Sequence, residues 1–106
     1  MKTLNGYGNP LAPGYTFRGF TIPAYMLDAL KRYTEHGEPP GDFLTAVITN
    51  NLREAVSRAD DHNQTNLPAY VAFFYNEAPP DSWGSPDKMK TWIESNSHNS
   101  GKRHKL

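Results

Sequence analysis

The amino-acid sequence predicts an all-α fold, a compact domain of about four helices. From Thr21 onward, apolar residues recur at the three-to-four-residue spacing of an α-helix. Proline stands near the start of several of these segments, and glycine or a proline pair stands near their ends, as at helix boundaries. No segment is predicted to form a β-strand. We therefore expect a helical domain over residues 21–95, an irregular arm over 1–20 and a disordered basic tail over 96–106.

The N-terminal arm is predicted to be irregular because glycine and proline interrupt it too often for a helix or a long strand. These residues are Gly6, Gly8, Pro10, Pro13, Gly14 and Gly19. The arm also contains aromatic residues that are costly to leave in water. They are Tyr7, Tyr15, Phe17 and Phe20. We expect the arm to pack these rings on the domain or on a neighbouring subunit.

The first helix is predicted to begin near Pro23 and to end at Gly37. Proline suits the first turn, where a missing N–H costs nothing, and glycine suits a helix end. The apolar residues at helical spacing between them are Met26, Leu27, Leu30 and Tyr33. The stiff loop Glu38-Pro39-Pro40-Gly41 cannot continue this helix. A second helix is therefore predicted to begin at or just after Asp42.

The second helix is predicted from a continuous apolar stripe. The stripe consists of Leu44, Val47, Ile48, Leu52, Ala55, Val56 and Ala59. Glu54 and Arg58 form a favourable i, i+4 pair on the polar side. Asn50 and Asn51, in the middle, have poor helix propensity. We expect either a kink at these asparagines or a requirement for their amide groups elsewhere.

Two further helices are predicted toward the C-terminus. The third is capped by Asn66 or a neighbour and has Pro68 in its first turn. Its predicted buried face is Tyr70, Val71, Phe73 and Phe74. The last helix is predicted to be short, with Ser85 as its cap and Pro86 as its first residue. Its apolar anchors are Met89, Trp92 and Ile93.

No catalytic or metal-binding pattern emerges from the sequence. The chain has no cysteine, which excludes disulfides, thiolate zinc sites and cysteine nucleophiles. Asp60, Asp61 and His62 are adjacent and therefore point in different directions, unlike the ligands of a preset metal cage. There is no glycine-rich phosphate loop after a strand and no evident nucleophile turn. We expect a protein that is not an enzyme and that needs neither a metal nor a cofactor.

Charge and hydropathy exclude several classes of partner. Eleven Lys and Arg balance eleven Asp and Glu, which disfavours binding to a DNA or RNA polymer. No run of about 18 apolar residues is present, and the N-terminus lacks an apolar stretch, so we expect neither a membrane span nor secretion. Lys102, Arg103 and Lys105 lie in a terminal segment with almost no apolar side chain. We expect that segment to be solvated.

The polar side of the second helix is the best candidate for a binding surface. Hydroxyl, amide and guanidinium groups can contact phosphates and base edges without a large net charge. Here they belong to Thr45, Thr49, Asn50, Arg53, Ser57 and Arg58. Tyr25 and Tyr33 offer flat surfaces for stacking, and the helix starts near Pro23 and Asp42 offer free backbone N–H groups. The same residues also fit an ordinary solvated helix face with core tyrosines.

Two strings of the sequence carry a resemblance to a known family. They are IPAYMLDALKRYTEHGEPPGDFLTAVITNNLREAVSRADDHN and LPAYVAFFYNEAPPDSWGSPDKMKTWI. They combine a tyrosine-bearing first helix, a Gly-x-Pro-Pro-Gly-x-Phe-Leu loop, an Asn-Asn-Leu centre, an Arg-Ala-Asp motif and a Trp-Gly-Ser turn. Over residues 22–94 this pattern resembles the anti-CBASS sponges of phages. These small proteins sequester the cyclic oligonucleotide messengers of a bacterial defence system.

The resemblance implies a compact fold with a short first helix, two longer antiparallel helices, and trimers that interlock into a hexamer. The implied activity is non-catalytic. The protein holds cyclic dinucleotides such as cyclic GMP–AMP, and cyclic trinucleotides in separate pockets, and so starves the host effector in the host cytoplasm. Such sponges bind their ligand between protomers, with a tyrosine stacked on a base and polar or basic groups on the phosphates.

The resemblance also implies part of the binding site. Tyr25 matches the stacking tyrosine of the family, and the loop with Pro40 and Asp42 is expected near the phosphates. Other residues join them on their chemistry alone, because they carry guanidinium, hydroxyl or amide groups. The ligand-binding residues predicted from the sequence are therefore Tyr25, Arg32, Pro40, Asp42, Thr45, Asn50 and Arg58.

Two other functions remain open from the sequence. A small phage protein that binds and inhibits a host protein through exposed aromatic residues would form a stable complex and carry no nucleotide. A phage assembly component that uses the same helices as an oligomer building block would be present in purified particles.

Overall fold

The chain folds into a helical body with a β-hairpin packed on it. The computed structural model describes the backbone of residues 13–105 and the side chains of residues 14–96. Within that range there are two strands, six α-helices and one 3₁₀ turn. They are β1 Pro13–Phe17, β2 Phe20–Pro23, α1 Ala24–His36, α2 Asp42–Ile48, α3 Leu52–Arg58, α4 Asp61–Thr65, α5 Leu67–Glu77, the 3₁₀ turn Pro80–Ser82 and α6 Pro86–Lys105.

The all-α prediction is wrong, because β1 and β2 form a two-stranded antiparallel sheet. Tyr15 pairs with Ile22 and Phe17 pairs with Phe20. Arg18 and Gly19, which join the strands, both have positive φ angles, 49° and 87°. A two-residue turn of this kind matches the twist of a hairpin. Residues 13–20 of the predicted irregular arm thus form ordered structure, and residues 1–12 lie outside the described part.

Gly14 allows the hairpin to approach α1 closely. The strand pairing is irregular at this residue, between Pro13 and Tyr15. A Cβ atom at position 14 would lie 2.9 Å from the Cα of Ala24 and 3.0 Å from the Cβ of Leu27. Glycine in a strand commonly marks such a bulge or close approach. Gly14 was counted as evidence against a strand in the sequence, yet its lack of a side chain allows β1 to pack on α1.

The predicted second helix is two helices, α2 and α3, and the break lies at the asparagine pair. Asn50 has a φ angle of 63°, in the left-handed region that asparagine tolerates better than most residues. The side chain of Asn51 accepts a hydrogen bond from the backbone N–H of Glu54 at 3.2 Å and so caps α3. Both asparagines thus have a structural use.

The predicted third helix corresponds to α5, and the short helix α4 that precedes it was not predicted. Asp60 caps α4, accepting a hydrogen bond from the N–H of Asn63 at 2.7 Å. Asn66 does not cap α5 with its side chain. Its Oδ1 accepts from the N–H of Thr21 at 2.8 Å, and its Nδ2 donates to the carbonyl of His62 at 2.8 Å. Asn66 therefore ties the hairpin to the α4–α5 junction.

The last helix is longer than predicted. Ser85 accepts a hydrogen bond from the N–H of Lys88 at 3.1 Å, which confirms its capping role at the start of α6. The helix then continues to Lys105, through most of the segment that the sequence predicted as a disordered tail. Leu106 lies outside the described residues.

The core is built around two buried tyrosines whose hydroxyls are satisfied inside the protein. The hydroxyl of Tyr33 donates to the carbonyl of Ser82 at 2.6 Å, and that of Tyr70 donates to Oδ1 of Asn63 at 2.7 Å. The indole N–H of Trp92 donates to the carbonyl of Tyr33 at 3.1 Å. Because a buried polar group without a partner is costly, these bonds help to hold α1 against the 3₁₀ turn and α6, and α4 against α5.

We expect Gly14→Ala to lower the free energy of unfolding by about 1–3 kcal/mol, because the new methyl group overlaps the α1 backbone. Gly41→Ala is the matched control. A Cβ there meets nothing within 4 Å, and we expect a loss below about 1 kcal/mol. Urea unfolding followed by circular dichroism measures both. Equal losses for the two variants would contradict the close packing of the hairpin on α1.

We also expect stability to fall above pH 10. Burial raises the pKa of Tyr33 and of Tyr70 above the usual value of 10.0, and the nearby Tyr25 and Asp60 raise that of Tyr70 further. The unfolded chain releases these protons from about pH 10, so the free energy of unfolding decreases as the pH rises beyond that point. Phenolate absorbance during an alkaline titration measures the pH at which the tyrosines of the folded protein ionise. If every tyrosine ionised near its ordinary value in the folded protein, the expectation would be wrong.

Candidate functional site

Three of the residues predicted to bind a ligand line one cleft between α2 and α3. The cleft has a volume of about 190 Å³. Its lining residues are Asp42, Thr45, Ala46, Thr49, Asn51, Glu54 and Arg58. The helix break at Asn50 turns α3 back beside α2, and this turn brings Arg58 to the start of α2. The structure thus places Asp42, Thr45 and Arg58 together at one cleft.

The positive charge of Arg58 in this cleft is already paired with two carboxylates. Nη1 of Arg58 lies 3.4 Å from Oδ2 of Asp42, and its Nε lies 3.2 Å from Oε1 of Glu54. The hydroxyl of Thr45 donates to the carbonyl of Pro40 at 3.4 Å, and that of Thr49 donates to the carbonyl of Thr45 at 2.8 Å. A phosphate entering here would meet two carboxylates beside one guanidinium. The cleft is therefore a poor anion site.

The other predicted residues do not line this cleft. Tyr25 lies in the first turn of α1 with 48% of its surface exposed. Arg32 is engaged by Asp28 one turn earlier, and its Nε lies 3.4 Å from Glu38. Pro40, half-buried in the loop before α2, contributes its carbonyl to Thr45, and Asn50 is exposed at the α2–α3 turn. The seven residues thus do not form one site in a single copy of the chain.

A larger groove, which the sequence analysis missed, lies between the hairpin turn and α5. Its volume is about 620 Å³, within the range of about 300–1,000 Å³ typical of small-molecule sites. The groove is lined by Phe17, Arg18, Leu67, Pro68, Val71, Ala72, Tyr75 and Asn76. We call it the α5 groove. It is three times the volume of the cleft and mainly apolar.

Three side chains give the α5 groove its chemistry. Tyr75 is 79% exposed, so its ring is accessible for stacking. The guanidinium carbon of Arg18 lies 5.1 Å from the centre of the Phe17 ring, a cation–π contact. Asn76 adds an amide that can both donate and accept. Among the residues that the structure describes, no carboxylate lines the groove, so it suits an aromatic anion better than a cation.

The groove escaped prediction because it needs the hairpin. Phe17 and Arg18 form one wall only when the β1–β2 turn packs beside α5, and the glycine-rich arm had been predicted as irregular. One signal was present in the sequence. The segment LPAYVAFFYNE of α5 is apolar on almost every side, and such a helix has more apolar surface than one core can cover. Val71, predicted as buried, is 44% exposed.

Other kinds of site find no support in the described part of the chain. Among these residues, no group of three or more His, Asp or Glu side chains is placed to hold a metal ion. Within the same part, no helix combines the length and the apolar composition that crossing a bilayer requires.

Comparison with known proteins adds no match. No protein-family model fits the chain, and neither the curated proteins nor the solved structures include a significant relative. The candidate site therefore rests on the geometry described above.

We expect Arg58→Gln to lower the free energy of unfolding by about 0.5 kcal/mol at low salt, because it removes two exposed ion pairs of the cleft. The loss should largely vanish in about 1 M salt, where such pairs are screened. Urea unfolding at the two salt concentrations measures this. Arg53→Gln is the control, because Arg53 is also exposed on α3. A loss of stability that is confined to Arg58→Gln and does not depend on salt would contradict the ion-pair role.

Proposed function

We propose that the protein is a non-catalytic sponge that sequesters cyclic oligonucleotide second messengers, cyclic dinucleotides such as cyclic GMP–AMP above all. By lowering the free messenger concentration in the host cytoplasm, it blocks host anti-phage signalling. The observation that carries the proposal is the α5 groove. It offers an exposed tyrosine ring, a guanidinium and an amide within about 620 Å³, and no carboxylate is among the lining residues that the structure describes.

Each group of the groove matches one part of such a ligand. A nucleobase stacks on the Tyr75 ring. Removing an aromatic ring of this kind typically weakens the binding free energy by about 1–3 kcal/mol per base. The guanidinium of Arg18 binds a phosphate through charge-assisted hydrogen bonds. The amide of Asn76 pairs with a base edge, and Leu67 and Val71 contact the sugar and base faces. Sequestration needs no catalytic group, because it requires only that the ligand is bound tightly.

The groove is open, so one protomer covers a ligand on one side alone. A second copy of the chain, packed over the groove, would enclose the ligand between protomers. The exposed Tyr75 and Val71 support this arrangement, because together they leave apolar surface facing water. We therefore include a homo-oligomer, a trimer or a hexamer, in the proposed function.

A second candidate function is the binding and inhibition of a host protein. One observation favours it: the apolar surface extends beyond the groove. Leu67 and Val71 also line a small pocket of about 80 Å³ with Leu52 and Trp83, and Leu52 is 67% exposed. A continuous apolar surface of this kind is also typical of a protein–protein interface. Direct titration with nucleotides separates the two candidates.

We expect isothermal titration with cyclic di- and trinucleotides to show tight binding without turnover, on a particle several times 11.9 kDa by light scattering. Tyr75→Ala should weaken binding roughly tenfold or more through lost stacking. Tyr25→Ala, which removes another exposed tyrosine, and Arg58→Gln are matched controls at the predicted site and should leave the affinity unchanged.

Two outcomes would contradict this account. If none of the nucleotides bound, the sponge function would be wrong, and the host-protein candidate would be tested next by co-purification. If Tyr25→Ala weakened binding and Tyr75→Ala did not, the function would stand but the site would be the one predicted from the sequence.

A further inference from the structure

Arg18 occupies a backbone position that disfavours arginine. Its φ angle is 49°, followed by 87° at Gly19. In a two-residue turn with both φ angles positive, asparagine, aspartate or glycine is preferred at the first position. A side chain such as arginine is strained there, because its Cβ crowds the following carbonyl. The turn would therefore be more stable with a different residue at this position.

The same residue stands at the wall of the α5 groove. Arg18 is exposed, and its guanidinium stacks over the Phe17 ring at 5.1 Å. This contact holds the long side chain beside the groove and offsets part of the strain. Within residues 14–96, no carboxylate lies within ion-pair distance of Arg18, whereas Arg32 and Arg58 are both paired. Arg18 thus keeps its charge available to a ligand.

We infer that Arg18 is the phosphate-binding residue of the α5 groove, and that arginine occupies this strained turn for binding rather than for folding. The inference rests on the proposed function, because it assigns a role within the same groove. It goes further in giving the reason for arginine at a strained position, and in predicting that one substitution there removes the preference for a phosphate and raises stability.

The test separates phosphate recognition from base stacking with a pair of small probes. AMP and adenosine share the base and the sugar, and AMP alone carries a phosphate. We expect the protein to bind AMP roughly tenfold more tightly than adenosine in an NMR titration, since a charged hydrogen bond adds that much. Arg18→Asn should reduce the AMP affinity to that of adenosine and leave the adenosine affinity unchanged.

Stability provides the second readout. Arg18→Asn should raise the thermal midpoint by about 3 °C, because asparagine suits the left-handed turn and the strain exceeds the lost ring contact. Arg18→Lys keeps the charge and should retain most of the preference for AMP without this rise. Lys90→Gln, which removes an exposed positive charge from α6, should change neither probe's affinity.

The possible results distinguish this inference from the proposed function. If Arg18→Asn kept the preference for AMP, or if the wild type had none, the role of Arg18 would be wrong. If the preference depended on Arg18 but cyclic oligonucleotides bound no more tightly than AMP, the role would stand and the sponge function would be wrong. A loss of stability in Arg18→Asn would overturn the claim that the turn is strained by arginine.

Discussion

The excess apolar surface of α5 is the constraint on which the rest of the structure depends. The helix buries Tyr70 and Phe74 in the core, and Phe73 packs edge-on against Tyr15 of the hairpin at 5.6 Å. Aromatic pairs in this geometry add stability beyond the area that they bury. Neither the core nor the hairpin packs on the last side of the helix, where Val71 and Tyr75 remain exposed. The α5 groove lies along this side, between the hairpin turn and the helix.

The hairpin has a second role, because its position determines which residues lie beside the exposed side of α5. The hydrogen bond from Thr21 to Asn66 fixes one strand to the α4–α5 junction, and the bulge at Gly14 lets the other approach α1. The turn is thereby held over α5, and Arg18 becomes the cation of the groove. Local backbone strain of this kind persists only where the surrounding structure holds it in place, and it is often associated with function.

The helices were predictable to the extent that local signals decide them. Proline, glycine and capping residues placed α1 and the start of α6 well, and the poor helix propensity of the asparagine pair indicated the break between α2 and α3. The hairpin was not predictable, because it depends on contacts with α1 and α5 that are distant in sequence. For the same reason Thr45 and Arg58 of the cleft could be named from one polar helix face, whereas the groove, which joins two distant segments, was missed. The Glu54–Arg58 ion pair of the cleft was predicted from its i, i+4 spacing. The Asp42–Arg58 pair was not, since it requires α3 to fold back on α2.

The central claim is that ligand binds in the groove between the hairpin turn and α5. Amide chemical-shift mapping of the isotope-labelled protein with cyclic GMP–AMP tests it most directly, because it locates the ligand without any substitution. The account predicts shifts concentrated at residues 17–19 and 71–76. Shifts concentrated at residues 42–58 would move the site to the cleft, and a spectrum unchanged at saturating ligand would contradict the account as a whole.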